Sequence, residues 1–280
     1  MKRLKIALLA GISSIHTIRW ANALPTSRRG RHVGPTYRGG DILSEKVKVH
    51  YLTFQGNKGY SLNVPFLRKC LGKFKPDLLH AHYASGYGTL GRLSSFHPYV
   101  LSVWGSDVYD FPYESPLKMR LLQKNLRAAD LILSTSHVMA KQTKKICNGL
   151  SGIRVTPFGI DIELFKPENC PQKRETITVG TVKKLAFKYG IDTLIKGFAE
   201  ARTSLMESDK PIAFILRLFI VGGGEDRESL ERLADSLNIS DVTEFTGAVP
   251  HALVPDYLNK LDIYVAASRL ESESFGVAIL

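Results

Sequence analysis

The stretch FIVGGGEDRESLERLADSL, residues 219–237, passes from an apolar run through three glycines into a helix-forming pattern. Phe219-Ile220-Val221 reads as a buried strand, and Glu228–Leu237 as an amphipathic helix. Glycines at a strand-to-helix turn let backbone N–H groups approach a phosphate, whose charge the helix dipole favours. A tight turn without a ligand fits the same residues. The spacing is not G-x-G-x-x-G, which argues against a dehydrogenase.

The same alternation continues in both directions. Apolar runs of strand length recur at Leu4–Ala10, Asp77–Ala81, Tyr99–Trp104, Asp130–Ser134, Ile177–Val179, Ile212–Val221 and Ile263–Ala267. Helical patterns lie between several of them. Val64, Leu67, Leu71 and Phe74 fall at helical spacing, and Ser115-Pro116 supplies an N-cap and a first-turn proline to Leu117–Ala129. Continuous apolar strands alternating with helices predict an α/β fold of parallel sheets covered on both faces. Pro157, Gly159, Pro167 and Pro171 interrupt regular structure over 157–172. Two doubly wound domains, 1–170 and 171–280, are therefore expected, facing each other across a cleft. Thr26–Asp41 fits poorly, because Gly34-Pro35 breaks the strand expected there and Pro25 interrupts the helix before it. That segment reads as an irregular basic loop.

A length of 280 residues suits two domains, and 44% apolar with 23% charged residues is an ordinary globular composition. The net charge of +12 is unevenly divided: residues 1–170 hold 25 Lys/Arg against 10 Asp/Glu, whereas 171–280 hold 13 against 16. A basic half attracts phosphate-bearing partners such as nucleic acid, anionic lipid headgroups or a nucleotide; a solvated face is the alternative. No reading helix or aromatic-rich RNA sheet motif accompanies the charge, so no nucleic acid is expected. Cys70, Cys147 and Cys170 lie far apart, which supports neither a disulfide framework nor a zinc knuckle and points to a reducing compartment. The opening MKRLKIALLAGISS begins like a signal peptide, but His16, Arg19 and Trp20 stand where a small-residue cleavage region belongs, so it reads as a first strand. No apolar run reaches about 18 residues, so no membrane-spanning helix is expected.

Chemistry-bearing residues gather where strands end. Gly180, Lys183, Lys184 and Lys188 surround a loop beyond a carboxyl edge, where ammonium groups can neutralise a diphosphate; ordinary surface lysines are the alternative. His80 and His82 share one strand face, but two histidines are too few for a convincing metal site. Asp107, in Trp104-Gly105-Ser106-Asp107, is placed either to hold a hydroxyl or to cap a helix. After strand Leu261–Ala267 come Ser268, Glu271, Glu273 and Phe275-Gly276, with a helix expected behind them. Carboxylates there can accept from the vicinal hydroxyls of a sugar, and a helix N-terminus favours an anion.

In this order the blocks resemble a retaining GT-B glycosyltransferase of family 4 along essentially the whole chain. VTPFGIDIELFKP (155–167) resembles the family's interdomain segment, IVGGGEDRESLERLA its glycine turn and helix, and VTEFTGAVPHALVPDYLNKLDIYVAAS its nucleobase-side strand, loop, helix and strand. ESFGVAIL resembles the first eight positions of the Glu-x-Phe-Gly-x-x-x-x-Glu signature. The resemblance implies GT-B architecture with two Rossmann-like domains, the first on the acceptor side and the second, incomplete here, binding a nucleotide sugar. It makes Glu273 the signature's first glutamate, directed at the donor sugar. The second glutamate would follow Leu280, so a fragment or truncated reading frame is expected. The family's Arg and Lys on the diphosphate correspond to Lys183 or Lys184 with Lys188, and Gly222, Gly223, Val249, Phe275 and Gly276 join the donor side. Gly11, Ser13, Ser14 and His16 stand at the acceptor loop. Trp104-Gly105 takes the place of a His-Gly pair that contacts the donor sugar, with His82 or His16 as its substitute.

The activity implied is transfer of a sugar, with retention, from a nucleotide-diphosphate sugar to a polysaccharide or lipid-linked acceptor. Lys184 and Lys188 would stabilise the leaving diphosphate. No cofactor or metal is expected, which suits the lack of an Asp-x-Asp. The basic first domain would suit an anionic membrane surface, with a cytoplasmic, peripheral location at the inner face of the cell membrane. The alternative is a non-catalytic remnant that at most binds nucleotide weakly.

Overall fold

The protein is described by a computed structural model covering residues 4–12, 14–26, 43–150, 152–167, 175–273 and 276. Two compact units change over between Gly159 and Ile160, within the stretch interrupted by proline and glycine. Residues just past that point are held by the second unit. The Phe165 ring packs edge-on against His251 at 5.6 Å, and Asn259 Nδ2 donates to the Lys166 carbonyl at 3.2 Å.

Among the described residues, the first unit carries a five-stranded sheet in the order β1 (Ile6–Leu9), β2 (Leu78–His82), β3 (Tyr99–Val103), β4 (Leu131–Ser134) and β5 (Ile153–Val155), each neighbour parallel. Consecutive residues Leu79–His82 of β2 are buried, so both faces of the strand are covered, as a continuous apolar run requires. Leu79, Leu101 and Ile132 of the strands pack in one core with Leu90, Leu122, Leu126 and Met139 of the flanking helices. The helix Val64–Phe74 has the bounds its periodicity predicts. Ser115 accepts from the Lys118 N–H at 3.2 Å and caps the helix Pro116–Arg127.

Among the described residues, the second unit carries a four-stranded parallel sheet of β6 (Ile177–Val182), β7 (Leu216–Val221), β8 (Thr243–Gly247) and β9 (Ile263–Tyr264), in the spatial order β8-β7-β6-β9. The chain moves outward from β6 to β8 and then returns to the other side of β6. Strand order therefore reverses at β6/β9, and the carboxyl ends of those two strands are where open α/β sheets bind ligands.

Three expectations need correction. Ile212–Val221 is not one strand: residues Ile212–Ile215 form a helical turn, with the Ala213 N–H on the Lys210 carbonyl at 3.0 Å, and β7 begins at Leu216. Periodicity alone does not separate a short apolar helix from a strand. The expected strand Ile263–Ala267 contracts to Ile263–Tyr264, and Pro25 lies inside the last turn of the helix Ile15–Thr26 rather than interrupting it. β5 escapes the sequence pattern, because Ile153-Arg154-Val155 is a three-residue edge with no buried member. The basic stretch 27–41 and the helix expected after Gly276 lie outside the described residues.

Asn125, fully buried, joins the helix Pro116–Arg127 to the turn after β2. Its Nδ2 donates to the carbonyls of Ala84 (2.8 Å) and Ser85 (3.1 Å) and to Thr89 Oγ1 (2.8 Å), while its Oδ1 accepts from Arg92 Nε (2.8 Å). Asn125→Ala takes the side-chain donor from the buried Ala84 carbonyl and the acceptor from Arg92 Nε, whereas the Ser85 carbonyl keeps its donors from Thr89, at a cost of about 1–3 kcal/mol for each group left unsatisfied. Both tryptophans, Trp20 and Trp104, lie in the first unit. Urea unfolding followed by tryptophan fluorescence is expected to show the first unit destabilised by at least about 2 kcal/mol.

Candidate functional site

Two lysines and a glutamate converge where strand order reverses. Lys183 follows the last residue of β6, Lys188 lies in the one-turn 3-10 helix Phe187–Tyr189, and Glu273 ends a second such turn after β9. Lys188 Nζ donates to Glu273 Oε1 at 2.7 Å, and Lys183 Nζ stands 3.7 Å from Glu273 Oε2. Both ammonium groups lie over the Tyr189 ring, at 4.5 Å for Lys188 and 5.0 Å for Lys183. Burial works against the charge on Lys188. Hydrogen bonds to Glu273 and Tyr189, and their charges, outweigh it and hold the pKa well above that of an ordinary lysine. Lys184 is separate from this cluster, its exposed ammonium pairing with Glu225 at 3.0 Å.

The glycine loop is accounted for by its own packing. Gly222 has φ +148°, and a Cβ there would come within 1.8 Å of the Lys183 carbonyl oxygen; one at Gly224 would come within 2.0 Å of the Leu185 carbonyl oxygen. The loop lies directly on residues 183–185, and the Leu185 N–H donates to the Gly223 carbonyl at 3.0 Å. These glycines thus let two backbone segments meet, the tight-turn reading of the motif. Gly180 sits within β6 opposite Tyr264 of β9. Val249 lies half-buried in the loop after β8, and Gly276 adopts φ +43°. Phe275 and Ser13 lie outside the described residues.

A clamp that the sequence did not suggest fixes the segment before Glu273. Arg269 Nη2 donates to both Asp192 carboxylate oxygens at 2.6 Å and to Thr193 Oγ1 at 2.8 Å, and its guanidinium lies 4.7 Å from the centre of the Phe187 ring. The Arg269 N–H also donates to the Lys188 carbonyl at 2.9 Å. Arg269 thereby ties the Glu273 strand end to the Lys188 turn. Tyr189, missed as well, is adjacent in sequence to a lysine already singled out.

In the first unit, aromatic rings cluster at the carboxyl end of the sheet. His16 stacks on Phe158 (4.2 Å between ring centres), and Trp104 meets Phe158 (5.2 Å) and His82 (4.4 Å). Trp20 stands edge-on to His80 and His82 at 5.5 and 5.7 Å. His80 and His82 share a face, as their spacing predicts, with ring centres 4.6 Å apart, and His80 Nε2 bonds Ser102 Oγ at 2.7 Å. His82 is fully buried, with neither ring nitrogen hydrogen-bonded among the described residues, whereas His16 is half-buried. Gly11 lies in the loop after β1, its carbonyl accepting from the Ser14 N–H at 3.2 Å.

Asp107 serves the backbone. Its Oδ1 accepts from the Trp104 and Gly105 N–H groups (3.0 and 2.9 Å), its Oδ2 accepts from the Ala84 N–H (2.8 Å), and the residue is 1% exposed. Burial pushes its carboxyl up, against the downward pull of these donors. The carboxylate thus ties the loop before the helical turn Ser106–Tyr109 to the turn after β2 and orients Trp104; it does not cap that turn, whose N-cap is Gly105.

Residues 5–136 match the family model described as Glycosyl transferase 4-like, and residues 163–280 the model described as Glycosyl transferases group 1. Both matched stretches thus resemble glycosyltransferase domains, and the fold is that of a two-domain Rossmann-like GT-B protein. It is 27% identical over 271 residues to the Bacillus subtilis (strain 168) protein TuaC, named as a teichuronic acid biosynthesis glycosyltransferase, covering 86% of this chain and 63% of that one. It is 27% identical over 230 residues to a phosphatidylinositol N-acetylglucosaminyltransferase chain of Arabidopsis thaliana, covering 78% of this chain and 47% of the relative. The chain thus spans about half to two thirds of the length of these curated relatives. Its fold resembles that of Anabaena Alr3699/HepE in complex with UDP, with a TM-score of 0.69, 17% identity and coverage of 95% of this chain and 74% of that one. Sucrose-phosphate synthase from Thermosynechococcus elongatus aligns with a TM-score of 0.68 and 17% identity, covering 95% and 76% respectively.

The two buried histidines give the 4-like domain a defined response to acid. Burial pushes His80 down to about 4, and burial together with the nearby His80 pushes His82 down to about 2. Each is neutral in the fold but gains a proton near pH 6.5 when unfolded, so its contribution is fully present above 6.5 and is lost as pH falls from there toward the folded pKa. Acidification to about pH 4.5 is expected to cost the domain about 2–3 kcal/mol per histidine. His82→Phe places an apolar ring among Trp20, Trp104 and His80, where the imidazole nitrogens have no hydrogen-bond partners. Urea midpoints read by tryptophan fluorescence should show that the variant loses one histidine's share of the acid sensitivity and keeps its stability at neutral pH.

Proposed function

We propose that the protein transfers a sugar from a nucleoside-diphosphate sugar to a hydroxyl of a polysaccharide or lipid-linked acceptor, with retention at the anomeric carbon. The observation that supports this most is the meeting of Lys183, Lys188 and Glu273 at the β6/β9 reversal. Two ammonium groups there can meet the charge of a diphosphate without a resident metal, and a carboxylate beside them can accept from sugar hydroxyls. In the reaction the bond from the anomeric carbon to the diphosphate oxygen breaks, its electron pair stays on that oxygen, and Lys183 and Lys188 stabilise the developing charge. The acceptor oxygen bonds the anomeric carbon on the same face, and its proton passes to the departing diphosphate. Lys184, engaged with Glu225, stands outside this assignment.

The acceptor class is proposed from the relatives whose names carry teichuronic acid and phosphatidylinositol. Assay of nucleoside diphosphate release from UDP-, GDP- and ADP-sugars by the full chain is expected to single out one donor. Lys188→Ala removes half of the paired cation and is expected to lower turnover about 10²-fold. Turnover unchanged in Lys188→Ala and in Glu273→Gln would remove both residues from the mechanism.

The acceptor is also proposed to lie at an anionic membrane at the inner face of the cell membrane. In the first domain Lys46, Lys48, Lys58, Lys69, Lys73 and Lys75 are exposed, interleaved with Tyr51 (74% exposed) and Phe54 (50%). Each exposed cation near such a surface contributes about 1 kcal/mol at low salt. Vesicles containing phosphatidylserine should bind the protein and release it as salt rises, and neutral vesicles should not; binding indifferent to salt would contradict this.

A further inference from the structure

The geometry points to a second role for Glu273: its carboxylate competes with the diphosphate for the same two ammonium groups, and so makes the site prefer a sugar-bearing diphosphate to a bare one. This rests on the proposed function, which assigns Lys183 and Lys188 to the diphosphate. Each Glu273 oxygen faces one lysine, Oε1 at 2.7 Å from Lys188 and Oε2 at 3.7 Å from Lys183. One anionic group thus spans the two cations as two phosphate oxygens would. The carboxylate is 19% exposed, Lys183 14% and Lys188 39%, so solvent screens this contest only in part.

Neither partner has an easy way out. The Glu273 N–H donates to the Leu270 carbonyl at 3.1 Å, and Arg269, bound through its side chain to Asp192 and through its backbone to Lys188, holds the segment in register with the lysine turn. The Tyr189 ring holds both ammonium groups from a second side. A diphosphate arriving at the lysines therefore meets the carboxylate as a like charge. The terminal phosphate of a bare nucleoside diphosphate brings acceptor oxygens and carries no hydroxyl-bearing sugar to offset that repulsion. A nucleotide sugar carries less negative charge, because its terminal phosphate is esterified, and its hydroxyls donate to the carboxylate as it gives up the lysines. Glu273 thus penalises the product of the proposed reaction more than the donor, which favours product release.

A purely structural ion pair makes the opposite prediction, because removing the carboxylate would then loosen the site and weaken every ligand. Calorimetric titration of the full chain with inorganic pyrophosphate, UDP and UDP-glucose separates the two. Glu273→Gln is expected to bind pyrophosphate and UDP about three- to tenfold tighter than wild type at low ionic strength, with the gain fading as salt rises. UDP-glucose should gain nothing, and the double variant Lys188→Ala/Glu273→Gln should lose the gain. Glu273→Ala, read in the same way, stands in if the glutamine variant does not fold. Binding of UDP or pyrophosphate by wild type with equal or weaker binding by the variant overturns this inference and leaves the proposed function standing. Absence of binding by both, with circular dichroism intact, overturns the inference together with the diphosphate site it rests on.

Discussion

Two ammonium groups over one aromatic ring repel each other, and in a partly buried setting that repulsion is only weakly screened. Lys183 and Lys188 are held side by side because the negative face of Tyr189 and the carboxylate of Glu273 both act on both of them. Burial alone would lower the pKa of Lys188, and its contacts with Glu273 and Tyr189 raise it instead. The second domain's loops serve this local charge balance. The strand reversal brings the ends of β6 and β9 together, and the Arg269–Asp192 clamp sets how far the chain beyond β9 travels before Glu273 is reached.

The glycine loop supports the same arrangement from the other side. Residues 222–224 lie on residues 183–185 so closely that side chains at Gly222 and Gly224 would collide with carbonyl oxygens, and hydrogen bonds fasten the two segments. The first lysine therefore leaves β6 along a backbone whose path is imposed by its neighbour. Glycine at these positions is a requirement of chain-on-chain packing, whatever anion lies near the lysines.

Much of this was legible in the sequence, for reasons that differ by residue. Val64–Phe74 and the Ser115 cap were readable because apolar period and cap chemistry are local. Glu273 and Lys188 could be expected together because both follow apolar strands, whose carboxyl ends meet in a parallel sheet. Which of Lys183 and Lys184 joins them was not readable: neighbouring residues leave a strand on opposite faces, so the choice depends on the exact residue at which β6 ends. Asp107 was equally undecided, because a carboxylate after a strand suits a hydroxyl or a backbone cap, and only the three N–H groups around it decide. Arg269 and Asp192 lie 77 residues apart, and no periodicity links them. The apolar residues Ile212–Ile215 read as strand for the same reason that β5 escapes notice: segments of three or four residues carry too few side chains to express a period.

The two domains divide their chemistry by charge. The second, although net acidic in composition, concentrates cations at one strand reversal. The first, strongly basic overall, keeps the two imidazoles of β2 uncharged, because burial holds His80 and His82 neutral at ordinary pH and their neighbours include Trp20, Trp104 and Ser102. Its positive charge resides instead on exposed lysines such as Lys46, Lys58 and Lys73. Exposed cations and buried neutral imidazoles are thereby separate sets of residues in this domain. A charged imidazole at position 82 would merge them, and the apolar enclosure that lowers its pKa is what prevents this.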